Sequence, residues 1–303
     1  MGFGKGYGKV ILFGEHFVVY GIPSIVSAID KYTTATVERI EGTGWTLEDL
    51  RPATPGYKEE KLEQQRESIE RVLRAAGITA PVKITLGGDL VAASGIGASA
   101  ASCVALARAL SDEFGLGLSD ERINEIAFEG EKAYHGNPSG VDNTAATYGG
   151  LLWFVKGKPI ERISLRAPVE IVMANTGLVA NTEAAVRGVR ERRERYPERY
   201  ARIFREAEEL VHAARKALLA HDMAEVGRLM DENHRLLQEI EVSCRELDEL
   251  VSIARESGAY GAKLTGGGLG GNVVALTPGM ELQEKVARAI EKEGYEALRT
   301  RIG

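Results

Sequence analysis

The sequence predicts an α+β protein in two parts, on three observations. Its first half alternates strands and helices: β-rich Lys9–Phe13, alternating Val82–Leu86 and apolar Leu151–Val155 are separated by helical stretches. The run from Thr182 to Ser257 reads almost wholly as helix. The end of the chain returns to strand, strand and helix at Gly258–Thr265, Asn272–Leu276 and Glu281–Glu293. No flexible linker is visible, so the boundary falls softly near 165–180, and the domains are expected at 1–170 and 171–303.

Composition narrows the function classes. The chain has 303 residues, 44% hydrophobic and 27% charged, enough for a buried core. Its net charge of −6 argues against a general nucleic-acid binder. No apolar run approaches the ~18 residues that span a bilayer. The first twenty residues lack the apolar core of a signal peptide. Cys103 and Cys244 form no disulfide or metal pattern, which suits a reducing cytoplasm. The outlier is glycine, 35 of 303 residues against an average of roughly 7%. Without a Gly-X-Y period, these glycines must serve specific backbone positions.

The elements follow in order. Lys9–Phe13 is a strand, interrupted by Gly14-Glu15-His16 and resumed by Phe17–Tyr20 before the turn Gly21-Ile22-Pro23. Strand pattern continues at Ile25–Ala28 and Thr33–Ile40, and 43–57 reads as a loop with Pro52, Pro55 and Gly56. Lys58–Ala76 is an amphipathic helix with apolar Leu62, Ile69, Val72 and Leu73. After the strand Val82–Leu86 and a glycine-containing loop comes the helix Ser99–Phe114, stopped by Gly115. Ser119-Asp120 caps another helix to about Tyr134, and residues 135–143, HGNPSGVDN, form a loop. Val169–Ala174 opens the second half as a strand. The helical region breaks near Tyr196-Pro197 and His221-Asp222. The charged tract Arg187–Arg205 reads as a solvated helix face.

Four clusters carry chemistry. Ser94-Gly95-Ile96-Gly97-Ala98-Ser99-Ala100-Ala101 lies between a strand and a long helix. Small residues there admit an anion to the free N–H groups of the helix start, or simply make a tight turn. It is neither a Walker A loop nor a Rossmann fingerprint. Gly266-Gly267-Gly268-Leu269-Gly270-Gly271 places five glycines in six positions between two strands, more than a turn needs. Glu131 and Asp142 are each unremarkable alone, but beside a phosphate loop they suggest one metal ligand and one base. Lys9, in an apolar strand near Glu15 and His16, either neutralises developing charge or sits on a sheet edge.

Together these segments resemble the GHMP kinases, and within them the mevalonate kinase family. The resemblance rests on GKVILFGEHFVVYG (8–21), SGIGASAAS (94–102), GEKAYHGNPSGVDNTAATYGG (130–150) and AKLTGGGLGG (262–271), with LMDENHRLL (229–237) as a family-like helix. RPATPGYKEEK (51–61) is similar to a region in the kinetoplastid-like branch of that family. The resemblance implies a two-lobed GHMP kinase fold. Its N-terminal lobe would be like ribosomal protein S5 domain 2, and its C-terminal lobe ferredoxin-like α/β with added helices.

It also implies ATP-dependent phosphorylation of the C5 hydroxyl of mevalonate in the cytoplasm, with Mg²⁺ as cofactor and neither nucleic acid nor membrane as partner. The helical stretch 182–220 fits a solvated surface or a homodimer interface equally. Asp142 would be the base and Lys9 the charge stabiliser. Ser99 and Glu131 would hold Mg²⁺. Ser94, Gly95, Ile96, Gly97, Ala98, Ser99, Ala100 and Ala101 would cradle ATP. Lys9, Glu15, His16, Asp142, Thr182, Gly266 and Gly267 would meet mevalonate. Ala98, Leu269 and Glu183 depart from the usual family pattern. The alternatives are a phosphomevalonate or homoserine kinase, or a nucleotide-binding regulator, which would be expected to lack the base or metal ligands.

Overall fold

The computed structural model describes residues 1–303 except 54–55, 93–94, 136–137 and 179–181. They form two compact units, one of Met1–Lys9 with Ala28–Gly149 and one of Val10–Ser27 with Gly150–Gly303. Both dividing points fall inside long strands, β1 (Gly2–Phe13) and β2 (Ser24–Arg39).

In the first unit the chain continues through β3 (Trp45–Asp49), α1 (Tyr57–Glu60), α2 (Leu62–Ala75), β4 (Val82–Gly88), α3 (Ala98–Glu113), α4 (Asp120–His135) and α5 (Val141–Tyr148). β4 runs antiparallel to β2, from Thr33 opposite Gly88 to Arg39 opposite Val82, and parallel to β3 on its other side. α3 buries residues on every face, from Ala98 and Ala100 through Val104 to Leu110, so it is the core helix of the unit. Its small side chains let β1 lie directly on it. A Cβ at Gly4 would stand 2.0 Å from the Ala105 carbonyl oxygen, and one at Gly6 2.1 Å from that of Ala101. The glycines at every second position of β1 therefore meet a helix backbone one turn apart. α2 and α4 pack together, and α5 packs on α3 and α4. Ile69, Val72 and Leu73 of α2 are buried as their spacing predicts, whereas Leu62 at its start is exposed.

The second unit adds β5 (Leu151–Phe154), β6 (Glu161–Ile163), β7 (Val169–Asn175), α6 (Thr182–Arg195), α7 (Pro197–Ala220), α8 (Met223–Glu239), α9 (Arg245–Glu256), β8 (Gly261–Thr265), β9 (Asn272–Leu276), α10 (Met280–Lys292) and β10 (Glu296–Ile302). β5 pairs antiparallel with the Ser24–Ser27 end of β2 and with β6. The other sheet has the order β10-β7-β9-β8, every neighbour antiparallel. Counted along the chain this is β-α-β-β-α-β with order 4-1-3-2, the ferredoxin-like arrangement, its first crossover swollen to four helices. Pro197 at the first turn starts α7, and Asp222 caps α8 by accepting from the Glu225 amide at 3.1 Å. The helix breaks predicted from sequence lie at those residues.

Four local expectations are corrected. Phe17–Tyr20 is a single 3₁₀ turn, not a resumed strand, because Gly14 and His16 take left-handed backbone angles that end the extended chain. The Phe17 ring then stacks edge-on against Phe204, centroids 5.1 Å apart. Ser24–Arg39 is one continuous strand rather than two. The 43–57 stretch contains β3, whose side chains alternate half-buried and exposed at a sheet edge. Finally, Asp142 lies not in a loop but on α5, which Gly140 opens at φ 90°.

Candidate functional site

The first unit assembles Lys9, the 95–101 loop, Ser99, Glu131 and Asp142. The Lys9 amide donates to the Ile96 carbonyl at 2.9 Å, tying β1 to the loop. Gly97 caps α3 with φ 81°, and a Cβ there would meet Lys9 Cγ at 2.7 Å, so two independent constraints require glycine. The N-cap residue Gly97 supplies no side-chain cap, and no acidic residue stands in the first turn of α3. Its leading N–H groups thus remain available for an anion. Ser94 lies outside the described residues, as does Gly136.

Lys9 is 5% exposed, and its Nζ lies 3.1 Å from Asp142 Oδ1. Asp142 occupies the first turn of α5, where the helix dipole favours a carboxylate. Glu131 is 1% exposed near the end of α4. Burial pushes its carboxyl up to about 8 and the negative charge of Asp142 adds to this, while a hydrogen bond with Ser99 and the charge of Lys9 pull the other way. Glu131 Oε1 is buried and has no hydrogen-bond partner among the described residues. Oε1 is thus a buried acceptor left open, while Oε2 lies 3.8 Å from the His135 ring. Among the described residues no group of three His, Cys, Asp or Glu could hold a metal alone. Ser99 and Glu131 therefore fit a cation that takes its remaining oxygens from phosphate and water, the habit of Mg²⁺.

The second unit holds Glu15, His16, Thr182, Gly266 and Gly267. The Glu15 carboxylate is buried in an ion pair with Lys263 of β8, and Asn233 of α8 reaches its other oxygen at 3.4 Å. The Lys263 ammonium also donates to the Leu264 carbonyl at 2.6 Å. Thr265 exchanges two hydrogen bonds with the backbone of Ile11. His16 Nε2 lies 2.8 Å from the Gly267 carbonyl, which can only accept, so Nε2 carries the proton. Burial pushes the ring down to about 4, leaving it neutral with Nδ1 as a buried acceptor that nothing described fills. Gly267 also lies against Thr182, whose Oγ1 would be 2.4 Å from a Cβ at that position. Gly266 takes φ 88°, and Leu269 takes a left-handed φ of 54° in the same loop.

Sequence reasoning missed Lys263 and Asn233. Lys263 carried a signal, an ammonium in the middle of an otherwise buried strand. Asn233 carried none beyond its place in the family-like helix.

Comparison with known proteins bears on these segments. The family model described as GHMP kinases N terminal domain matches residues 65–150, and that described as GHMP kinases C terminal matches 214–296. Mevalonate kinase of Pyrococcus abyssi is 36% identical, over 97% of this chain and 93% of that protein. The crystal structure of L. major mevalonate kinase in complex with R-mevalonate is 39% identical with a TM-score of 0.94, covering 100% of this chain and 96% of that one. The structure of Methanococcus jannaschii mevalonate kinase superposes with a TM-score of 0.83 at 25% identity, over 99% and 98%. The fold is that of the GHMP kinase class. Within it, the chain belongs to the mevalonate kinase family.

Proposed function

We propose that the protein transfers the γ-phosphoryl group of ATP to the C5 hydroxyl of (R)-mevalonate, giving 5-phosphomevalonate and ADP for isoprenoid synthesis in the cytoplasm. The observation that carries this reading is the Lys9–Asp142 pair at 3.1 Å, in the unit that also holds the uncapped start of α3. Support for the acceptor comes from the 39% identical relative whose structure holds R-mevalonate.

Asp142 takes the proton of the attacking hydroxyl as its oxygen bonds to the γ-phosphorus. The bond from phosphorus to the β-bridging oxygen breaks, and ADP leaves. Lys9 offsets negative charge gathering on the hydroxyl oxygen. The 95–101 backbone holds the phosphates in line, so catalysis is mainly positioning and electrostatics, with no covalent enzyme intermediate. Ser99 and Glu131 are the residues that would hold Mg²⁺, which when bound neutralises phosphate charge. We assign mevalonate contacts to Glu15, His16, Thr182, Gly266 and Gly267. The neutral His16 ring suits acceptance of a hydroxyl proton rather than pairing with a carboxylate.

A coupled ADP-release assay with mevalonate, phosphomevalonate and homoserine tests the reading. Mevalonate should be strongly preferred. Turnover of homoserine with none of mevalonate would overturn it.

A further inference from the structure

Arg51 belongs to the 51–61 segment, whose sequence stands out and for which the chemistry above gives no role. Its side chain is 5% exposed, and its guanidinium nitrogens are taken up by Asp49 and Ser102. The guanidinium forks onto Asp49, with Nε 2.9 Å from Oδ1 and Nη2 2.7 Å from Oδ2. Asp49 in turn accepts from Gln65 of α2 at 2.7 Å, and its carbonyl accepts from Lys58 at 2.8 Å. Burial alone would raise the Asp49 carboxyl, but the Arg51 guanidinium outweighs it and holds the group down to about 2.

The remaining arm of Arg51 leaves this cluster. Nη1 donates to the hydroxyl of Ser102 in α3, and that hydroxyl donates to the Ala98 carbonyl at 2.8 Å. Ser102 stands one turn beyond Ser99, and Ala98 is the first residue of the helix. A side-chain bond back to the i−4 carbonyl leaves a serine hydroxyl with an open acceptor face. Arg51 fills that face from outside the helix. The first turn of α3 is thus pinned to the β3 edge and to α2 by a charged, fully partnered chain of hydrogen bonds.

We propose that Arg51 is a positioning residue for nucleotide binding: acting through Ser102, it fixes the first turn of α3, and with it the phosphate loop and Ser99. This rests on the kinase reading above. A role in stability alone would weaken the whole unit without separating the two substrates. A positioning role predicts loss on the ATP side only.

The test uses Ser102→Ala, which cuts the link while leaving Arg51 on Asp49, and Arg51→Lys, which keeps the charge on Asp49 but lacks the fork needed to reach Ser102. Each variant should raise the KM for ATP about tenfold, the effect expected of one charge-assisted hydrogen bond. The KM for mevalonate should stay within about twofold. The double variant should be no worse than Arg51→Lys, because both changes remove the same contact. An unchanged KM for ATP in folded Ser102→Ala, an equal rise for both substrates, or additive effects in the double variant would each overturn the proposal. Folded wild-type protein that fails to phosphorylate mevalonate would instead overturn the kinase reading, and this role with it.

Discussion

Lys9 Nζ and Asp142 Oδ1 meet at 3.1 Å, although one residue lies in a strand and the other opens a short helix far along the chain. The pair predicts a coupled loss. Asp142→Asn should lower kcat by about a thousandfold, within the range for removal of a general base. Lys9→Met should also lower kcat, and the double variant should fall well short of the product of the two, because the side chains act as one unit. Binding of a non-hydrolysable ATP analogue to Asp142→Asn, followed by calorimetry, should stay close to wild type. Near-normal turnover would remove Asp142 from the mechanism.

Glu131 predicts opposite effects on stability and activity. Its folded-state carboxyl titrates near 8, well above its ordinary value of 4.5. Between these values the folded protein binds the proton more tightly than the unfolded chain does. Without metal, stability should therefore fall as pH rises from 4.5 to 8. Glu131→Gln removes the buried charge. In EDTA, its Tm at pH 8 should exceed that of wild type by several degrees, with little difference at pH 5. Its KM for Mg·ATP should rise at the same time. A wild-type Tm with no such pH trend would contradict the electrostatic account.

His16 and His234 predict the reverse slope on the acid side. Burial pushes both rings down to about 4 in the folded protein, against an ordinary value of 6.5. The unfolded chain therefore takes up more protons between pH 6.5 and 4. Their stability contribution is complete above 6.5 and lost as pH falls through this window. Each ring accounts for up to about 3 kcal/mol. Urea unfolding at pH 7, 5.5 and 4.5 measures the slope, and His16→Gln should remove roughly its share. An unaltered slope in that variant would mean that His16 is already solvated.

Gly4→Ala should cost about 3 kcal/mol or more, since the added methyl meets the rigid backbone of α3 rather than a side chain that can swing away. Thermal unfolding should show a clear drop in Tm. A drop of less than a degree would show that β1 stands farther from α3 than described.

Much of the site was legible because its groups sit in short strings. Lys9 stands in an apolar strand, Ser99 follows two glycines, and Glu131 precedes the string His-Gly-Asn-Pro. Asp142 was legible as a residue but not as part of a helix. Eight residues after Asn-Pro-Ser-Gly are too few to display a 3.6-residue period. Phe17–Tyr20 misled because Val-Val between aromatic residues has strong β propensity, which the left-handed His16 and packing on Phe204 override. The contacts of Arg51 with Ser102 and of Glu15 with Lys263 left no local trace. They join residues 51 and 248 positions apart, and only the fold brings such pairs together. The glycines divide the same way. The sequence reads those at 95–97 and 266–271 as backbone beside a ligand, but Gly2, Gly4 and Gly6 serve helix packing, and a Cβ at Gly97, Gly267, Gly268 or Gly270 would also crowd protein atoms.

That packed strand has a genetic consequence. Every single-nucleotide change that replaces a glycine codon with another amino acid adds at least a methyl group. At Gly4 and Gly6 there is no room for one, so every missense change at these codons should destabilise the protein. The damage would also travel: Lys9 lies in the same strand, a few residues on, and the Ile96 carbonyl is bonded to its amide. Alleles at these two codons should therefore behave as catalytic lesions as well as folding ones.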